Sequence, residues 1–371
     1  MLRTHQGIRS GETSRLLQRG VVLALLMAAS AVTAHAGSDG RKGTAGATEL
    51  QIPVGPRSTA LGGAVMSDVS GIEAMFWNPA GLAATPGTEA LFSHSQYFAD
   101  MKLNYAGIAT QAGGFGVIGL AAKVLSVGDI LVTTEQAPDG TGEILNPTFS
   151  VLGLTWAKAF TDRVNFGATV NYVSEELANN KANGVAFDFG VQLATDWHGF
   201  RLGMAMKNIG TSLSYSGPGF EILSRDPSAD PNAGNRGLSF SSAAFEMPSY
   251  FSLSSSYDVA KSNDFRLVAL AAFQNNNFSG DNLRGGLEWS YKDWAALRGS
   301  YFGTFNGTVD QVTGDETYSF ESGDDLYEGY ALGAGVKTRF GEEGHLGVDF
   351  AWRPVKNTFD DVVEVALKMN F

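Results

Sequence analysis

The sequence predicts an all-β chain: a fourteen-stranded antiparallel transmembrane β-barrel with a short N-terminal helical plug. Three observations carry that expectation. From Thr88 onward, apolar and polar residues alternate with period two in short segments bounded by turn residues. The connections between those segments are alternately short and long. No stretch approaches the roughly twenty apolar residues of a membrane helix. The 46 glycines, 11% aromatic residues and near-neutral hydropathy suit a wall whose lipid face is hidden by alternation.

The order of the chain begins with residues 1–36, which read as a secretory signal. Arg3, Arg9, Arg15 and Arg19 supply a basic head and Val21 to Ala31 an apolar core. Ala34-His35-Ala36 is a small-x-small cleavage site. Cleavage removes four arginines and one glutamate, so the mature chain is more acidic than the full-length charge of −12. An acidic chain argues against a nucleic-acid partner. There is no cysteine, which excludes disulfides and a lipid-anchored cysteine.

Residues 37–87 form the plug segment, with Ser58 to Ala83 at its centre. Ala60 to Ala64 is expected to be helical despite Gly62 and Gly63. Ser67 or Asp68 is expected to cap a second turn carrying Ile72, Met75 and Phe76 on one face. Asn78-Pro79 stops it, because a residue before proline is pushed out of the α region. Asn78, Pro79, Ala80 and Gly81 then make a tight turn. The Asn78 side chain closes it, Pro79 fixes its own backbone, and Gly81 is expected to supply an angle other residues resist.

The run LGGAVMSDVSGIEAMFWNPAGLA, residues 61–83, resembles the N-terminal signature of the PorV/PorQ family of outer-membrane proteins, relatives of the FadL-type transporters. Met206-Lys207-Asn208-Ile209-Gly210 is similar to that family's N-[LI]-G at the end of a central strand. The resemblance implies a plug at the base of a fourteen-stranded barrel in the outer membrane of a Gram-negative-type bacterium. It also implies a secretion accessory of the type IX system, presenting or receiving protein cargo through extracellular loops. The FadL relationship implies the alternative, passive transport of hydrophobic or amphipathic small molecules. A structural barrel without cargo is the third reading.

Residues 88–371 hold the strands, expected at 88–97, 102–110, 114–126, 148–159, 164–174, 183–196, 199–208, 248–260, 264–273, 282–292, 294–303, 329–340, 344–353 and 362–371. With both termini in the periplasm, every second connection should be short. Those at 111–113, 160–163, 197–198, 261–263, 293 and 341–343 are. The long excursions 127–147, 209–247 and 304–328 all fall in the other set, predicted to be extracellular. Individual strands show their two faces. Val363, Val365, Leu367, Met369 and Phe371 oppose Glu364, Ala366, Lys368 and Asn370. Phe187, Phe189 and Val191 oppose Asp188, Gly190 and Gln192. Segments 114–126 and 264–273 are apolar on both faces, so either their inner faces touch the plug or their register is misplaced. The final Phe371 resembles the terminal signal by which such barrels are assembled.

Charge is sorted by position. Arg201, Lys207, Arg266, Arg284, Lys292, Arg298, Lys337, Arg339, Arg353 and Lys368 fall on inward positions. Only Asp188, Glu288, Asp349 and Glu364 oppose them, while most acids lie in the long loops. A midplane Arg or Lys facing lipid costs ~2–4 kcal/mol, which favours the inward placement. The wall cations either neutralise inner carboxylates and the plug acids Asp68 and Glu73, or make a lumen selective for anionic or amphipathic cargo. At least one plug acid is expected to meet a wall arginine. Adjacent glycines Gly113, Gly114 and Gly116 mark the candidate lateral gap.

No enzyme is expected, and no cofactor or metal. His94, His198 and His345 share no ligand spacing. There is no nucleophile elbow, phosphate loop or cysteine. His94 between Ser93 and Ser95 could suggest a lipase, but a rim histidine weighs more. The acids Asp310, Asp315, Glu316, Asp324 and Asp325 lack a calcium-loop spacing. The 225–237 run is a flexible loop or a partner surface. The partners expected are outer-membrane lipid and either secreted protein with secretion subunits or hydrophobic small molecules.

Overall fold

The computed structural model describes residues 41–197, 199–224, 236–292, 294–309, 316–324, 326–340, 344–356 and 359–371. The signal segment 1–36, His198, most of the 225–237 run, Asp293, Asp310, Asp315 and Asp325 lie outside the described residues. So does the 341–343 connection.

Fourteen strands form the wall: β1 Thr88–Gln96, β2 Lys102–Gln111, β3 Val117–Ser126, β4 Thr148–Ala159, β5 Val164–Leu177, β6 Asn180–Ala194 and β7 Arg201–Gly210. The second half is β8 Tyr250–Lys261, β9 Phe265–Asn276, β10 Asp281–Tyr291, β11 Ala295–Val309, β12 Tyr330–Phe340, β13 Gly344–Arg353 and β14 Val362–Asn370. Each pairs antiparallel with its sequence neighbours. β1 closes on β14 in the register Glu89↔Asn370 to Gln96↔Val363. Closure leaves no unpaired edge, the condition for placing strands in lipid. A further strand, Glu316–Ser322, extends β11 beyond the wall. Two small hairpins, Ile130–Leu131 with Ile144–Leu145 and Glu221–Ser224 with Arg236–Ser239, stand on the other long loops. All three long excursions therefore share one end of the barrel, and the short turns, the start of β1 and the end of β14 mark the other.

The alternation holds around the wall. On β14, Val365 and Met369 are 45% and 42% exposed while Glu364 and Ala366 are buried. In β3 and β9 both faces are apolar because the inner one packs against the plug. Val117, Leu125, Val268, Leu270 and Ala272 share a core with Val65, Ile72, Met75 and Trp77. At the short-turn end, Trp156 packs against Phe115, Phe160 and Phe166, and Trp197 against Phe200 and Tyr257. Trp289, Tyr291 and Trp294 continue this band. Such amphipathic rings belong at a membrane–water boundary.

Two expectations need correction here. The glycines Gly113, Gly114 and Gly116 do not open the wall. Gly113–Phe115 is a single 3-10 turn at the short-turn end, and β2 and β3 stay paired from Lys102↔Ser126 to Gln111↔Val117. Register shifts occur instead at β6–β7, beside Asp188, and at β8–β9, beside Asp258. Lys292 is not on a wall strand: it lies in the β10–β11 turn at φ 48°, at the mouth of the short-turn end of the lumen, exposed and with Asp264 at 3.5 Å.

The plug is a chain of short helices: a 3-10 turn Thr48–Gln51, α1 Pro56–Ala60, a 3-10 turn Gly71–Glu73, α2 Ala74–Trp77 and a 3-10 helix Pro79–Ala84. The first α-helix ends at Ala60 rather than running to Ala64, because Gly62 and Gly63 turn into the left-handed region. Neither Ser67 nor Asp68 caps the second turn, which follows Ser70 without a side-chain cap.

The lipid belt sets a depth scale for substitutions on one face of β14. Val365→Lys should cost ~2–4 kcal/mol, and Met369→Lys, near the short-turn rim, about 0–1 kcal/mol. Urea titration of folding into lipid vesicles measures both. Equal costs at the two sites would misplace the belt.

Candidate functional site

The plug seats by backbone contact. Inward glycines on several strands make room for it. A methyl group built on Gly190 would lie 1.9 Å from Asn78 Oδ1, one on Gly203 2.3 Å from the Met66 carbonyl oxygen, and one on Gly167 2.3 Å from the Pro79 carbonyl carbon. Asn78 is fully buried. Its Oδ1 accepts from the Ala80 amide at 3.2 Å, and its Nδ2 donates to the carbonyls of Met66 at 2.6 Å, Val191 at 3.2 Å and Met204 at 3.4 Å. One amide thus closes the Asn78-Pro79-Ala80-Gly81 turn and fastens it to β6 and β7. Gly81 serves by its size rather than its angle, since a methyl there would sit 2.1 Å from the Val69 carbonyl oxygen.

Charged side chains satisfy much of the remaining plug backbone. Glu364 accepts from the Gly55 amide at 2.6 Å, and Glu89 from the Ile72 amide at 2.9 Å. Lys123 donates to the carbonyls of Glu49 and Ile52, and Lys207 to that of Phe76. Lys207 also meets Asp188 at 2.6 Å, and the Asn208 amide donates to the other oxygen of that carboxylate at 2.7 Å. The Lys207-Asn208 motif is therefore the bulged side of the β6–β7 register shift, gripping Asp188.

An ionic lattice lies on the short-turn side of the plug. Asp68, with a side chain only 3% exposed, is held by Arg57 at 2.8 Å, by Arg201, and by Arg266 at 3.9 Å. Arg57 also meets Glu288 at 2.9 Å. Arg298 bridges Glu288 at 2.7 Å and Asp349 at 2.5 Å. The other plug acid, Glu73, makes no ion pair with an arginine among the described residues; it accepts from the Ser58 hydroxyl at 2.7 Å. Sequence reasoning missed Arg57, one residue before the stretch it singled out. It also missed Lys123, although period-two counting from Val117 places that residue inward.

The plug separates two spaces. On the long-loop side a cavity of about 300 Å³ is walled by Phe76, Trp77, Tyr97, Tyr250 and Tyr327 together with Arg284 and Arg353. The Arg353 guanidinium lies 3.3 Å from the Tyr327 ring centroid, and the Tyr327 hydroxyl donates to that of Tyr97 at 3.1 Å. Arg284 donates to the Gly62 carbonyl at 3.2 Å and to Asn282 Oδ1 at 3.1 Å. The Nε atoms of Arg284 and Arg353 are both buried without a hydrogen-bond partner among the described residues. On the short-turn side a vestibule of about 950 Å³ is lined by the ionic lattice and by Lys337, Arg339, His345 and Lys368. The ten cations expected at inward positions thus divide: Arg284 and Arg353 face the loop-side cavity, Lys207 lies at plug level, and the other seven line the vestibule, Lys292 from its turn. His94 is exposed on the outer face of β1, its Nδ1 2.9 Å from Asn104 Oδ1. No metal-binding group of three or more ligands occurs among the described residues.

The plug N-terminus is held near the loops by the Glu175 carboxylate. Glu175 on β5 accepts from the Ala47 amide at 3.0 Å and from the Tyr215 hydroxyl at 2.5 Å. Beside it, burial and then the Glu175 charge push the Glu49 carboxyl up to about 7, although Lys123 opposes the shift.

Two substitutions test the seat. Asp68→Asn should destabilise by ~3–5 kcal/mol, because Arg57, Arg201 and Arg266 would be left facing one another. Arg201→Gln should cost far less, since two cations still hold Asp68; equal costs would remove Asp68 from the centre of the lattice. For Glu49, the folded state keeps a proton that the unfolded chain loses near the ordinary carboxyl value. Its contribution is therefore present at low pH and lost as pH rises from about 4.5 toward 7 and above, a change on the order of 1–3 kcal/mol. Stability measured at about pH 5 and pH 8 should differ less in Glu49→Gln than in the parent. An unchanged difference would show that Glu49 is not the titrating group.

No family model matches the chain, and no curated sequence does. Among solved structures it is similar to the toluene transporter TodX of Pseudomonas putida, at TM-score 0.53 and 13% identity over 85% of this chain and 97% of that one. It is also similar to the monoaromatic hydrocarbon channel CymD, at TM-score 0.52 and 12% identity over 86% and 97% of the two chains. At such identities the likeness is one of fold: a fourteen-stranded antiparallel barrel of the kind those channels share.

Proposed function

We propose that the chain is an outer-membrane channel for passive passage of hydrophobic and amphipathic small molecules, admitted under the long loops. The loop-side cavity carries this reading. Its aromatic walls suit an apolar body, and its two guanidiniums suit a polar or anionic head, Arg284 with no ion-pair partner among the described residues and Arg353 with Asp324 at 4.0 Å. The cavity is amphipathic rather than purely apolar, which favours amphipathic over purely apolar cargo. The names of the similar solved structures, a toluene transporter and a hydrocarbon channel, point the same way.

The secretion reading, placed first on the PorV/PorQ resemblance, gains nothing from these comparisons. The lumen is filled only at plug level, with a cavity on either side, which suits passage of a small molecule.

Uptake decides between these readings. The barrel would be expressed in an outer-membrane host with no such channel of its own, and labelled decanoate and toluene supplied outside. Both should enter faster than in cells without the barrel. Arg284→Gln combined with Arg353→Gln should slow decanoate about tenfold, the worth of one ~1.4 kcal/mol interaction, with toluene little changed. No uptake above background would sink the channel reading. Equal loss of both substrates would sink the head-group role of the arginines.

A further inference from the structure

The vestibule on the other side of the plug has cations that the ionic lattice does not use. Arg57, Arg201, Arg266 and Arg298 are each spent on Asp68, Asp258, Glu288 or Asp349. Lys337 and Arg339, on the inner face of β12, have no carboxylate partner among the described residues, and both are exposed to the cavity. Lys368 on β14 has Glu89 at 3.4 Å, a carboxylate already accepting from the Ile72 amide.

The strand register makes these cations one site. Lys337 pairs with Gly347 of β13, and Gly347 pairs with Lys368 of β14. Two strand spacings put the lysine backbones ~10 Å apart, within reach of a common point for two four-carbon stems. The position between them is a glycine, and a methyl built there would find nothing closer than 3.8 Å. Arg339 pairs with His345, which brings a fourth basic group to the same face. Lys337, Arg339 and Lys368 surround an open glycine floor, and among the described residues Glu89 is the one carboxylate within ion-pair distance of any of them, so an anion entering from the short-turn side would relieve their mutual repulsion.

We propose that Lys337, Arg339 and Lys368 form an oxyanion-binding site in the vestibule, taking a carboxylate or phosphate group. The group is carried either by a free solute on the short-turn side or by the head of an amphiphile that has passed the plug. The site stands on the vestibule geometry alone and does not rest on the transport reading.

Calorimetric titration of the full chain in zwitterionic detergent at low salt tests it, with inorganic phosphate and decanoate as probes. Saturable phosphate binding should weaken about tenfold or more in Lys337→Gln with Arg339→Gln, equivalent to ~1.4 kcal/mol, and should fall as salt screens the site. Lys181→Gln, an exposed loop-end cation, should leave it unchanged. Gly347→Asp, which sets a carboxylate on the floor between the lysines, is a second route to the same loss. Heat-modifiable gel mobility confirms folding of each variant. Displacement of phosphate by decanoate supports the site and assigns it to an amphiphile head; phosphate binding without displacement supports it and assigns a free solute. Absence of saturable binding by either probe, or binding indifferent to both variants in folded protein, overturns it.

Discussion

Backbone polar groups enclosed by a barrel wall must find partners inside the protein, and the plug is where that constraint bites hardest. A regular helix or sheet satisfies itself; five short turns do not. The wall supplies what the plug lacks. Carboxylates of Glu364 and Glu89 take plug amides, ammonium groups of Lys123 and Lys207 take plug carbonyls, and Gln192 takes those of Met66 and Val69. Much of the charge inside the barrel is thus structural, spent on irregular backbone that would otherwise be unsolvated.

This use of charge depends in turn on small residues. A wall charge can reach a plug carbonyl only if the plug lies against the strands, and glycines such as Gly167, Gly190 and Gly203 permit that approach. Even a methyl group in their place would overlap plug atoms at 1.9–2.3 Å and push the plug off the wall. The Asn78 seat, the Asp188 clamp at the β6–β7 bulge and the Asp68 lattice then fix the segment at three levels. What remains of the basic surplus is informative because so much of it is accounted for. Arg284, and Arg353 with only Asp324 at 4.0 Å, face one cavity; Lys337, Arg339, and Lys368 with only Glu89 at 3.4 Å, face the other. The two spaces differ accordingly, with aromatic walls above the plug and an ionic rim below it.

The strands were largely legible in the sequence because their cause is local. One face meets lipid and the other the lumen, so period-two alternation is imposed residue by residue, and loop lengths report the two ends. That reading failed to settle β3 and β9, where the plug makes the inner face apolar as well. It erred at Gly113, Gly114 and Gly116, since a glycine pair serves a turn as well as a gap. It also placed Lys292 on the wall by extending β10 one residue into its turn.

The sequence by itself determined the barrel, its strand number, its closure and the presence of a small-residue segment with an Asn-Pro turn, because those follow from hydrophobic periodicity and turn chemistry. Only the tertiary structure decided which charges are spent. Arg57 and Asp68 are eleven residues apart in the chain, yet both depend on Glu288, Arg201 or Arg266 from distant strands. Glu49 meets Glu175 only because the plug N-terminus runs up beside β5. Pairing of buried charge is set by three-dimensional proximity and desolvation, and neither is written in the order of the residues.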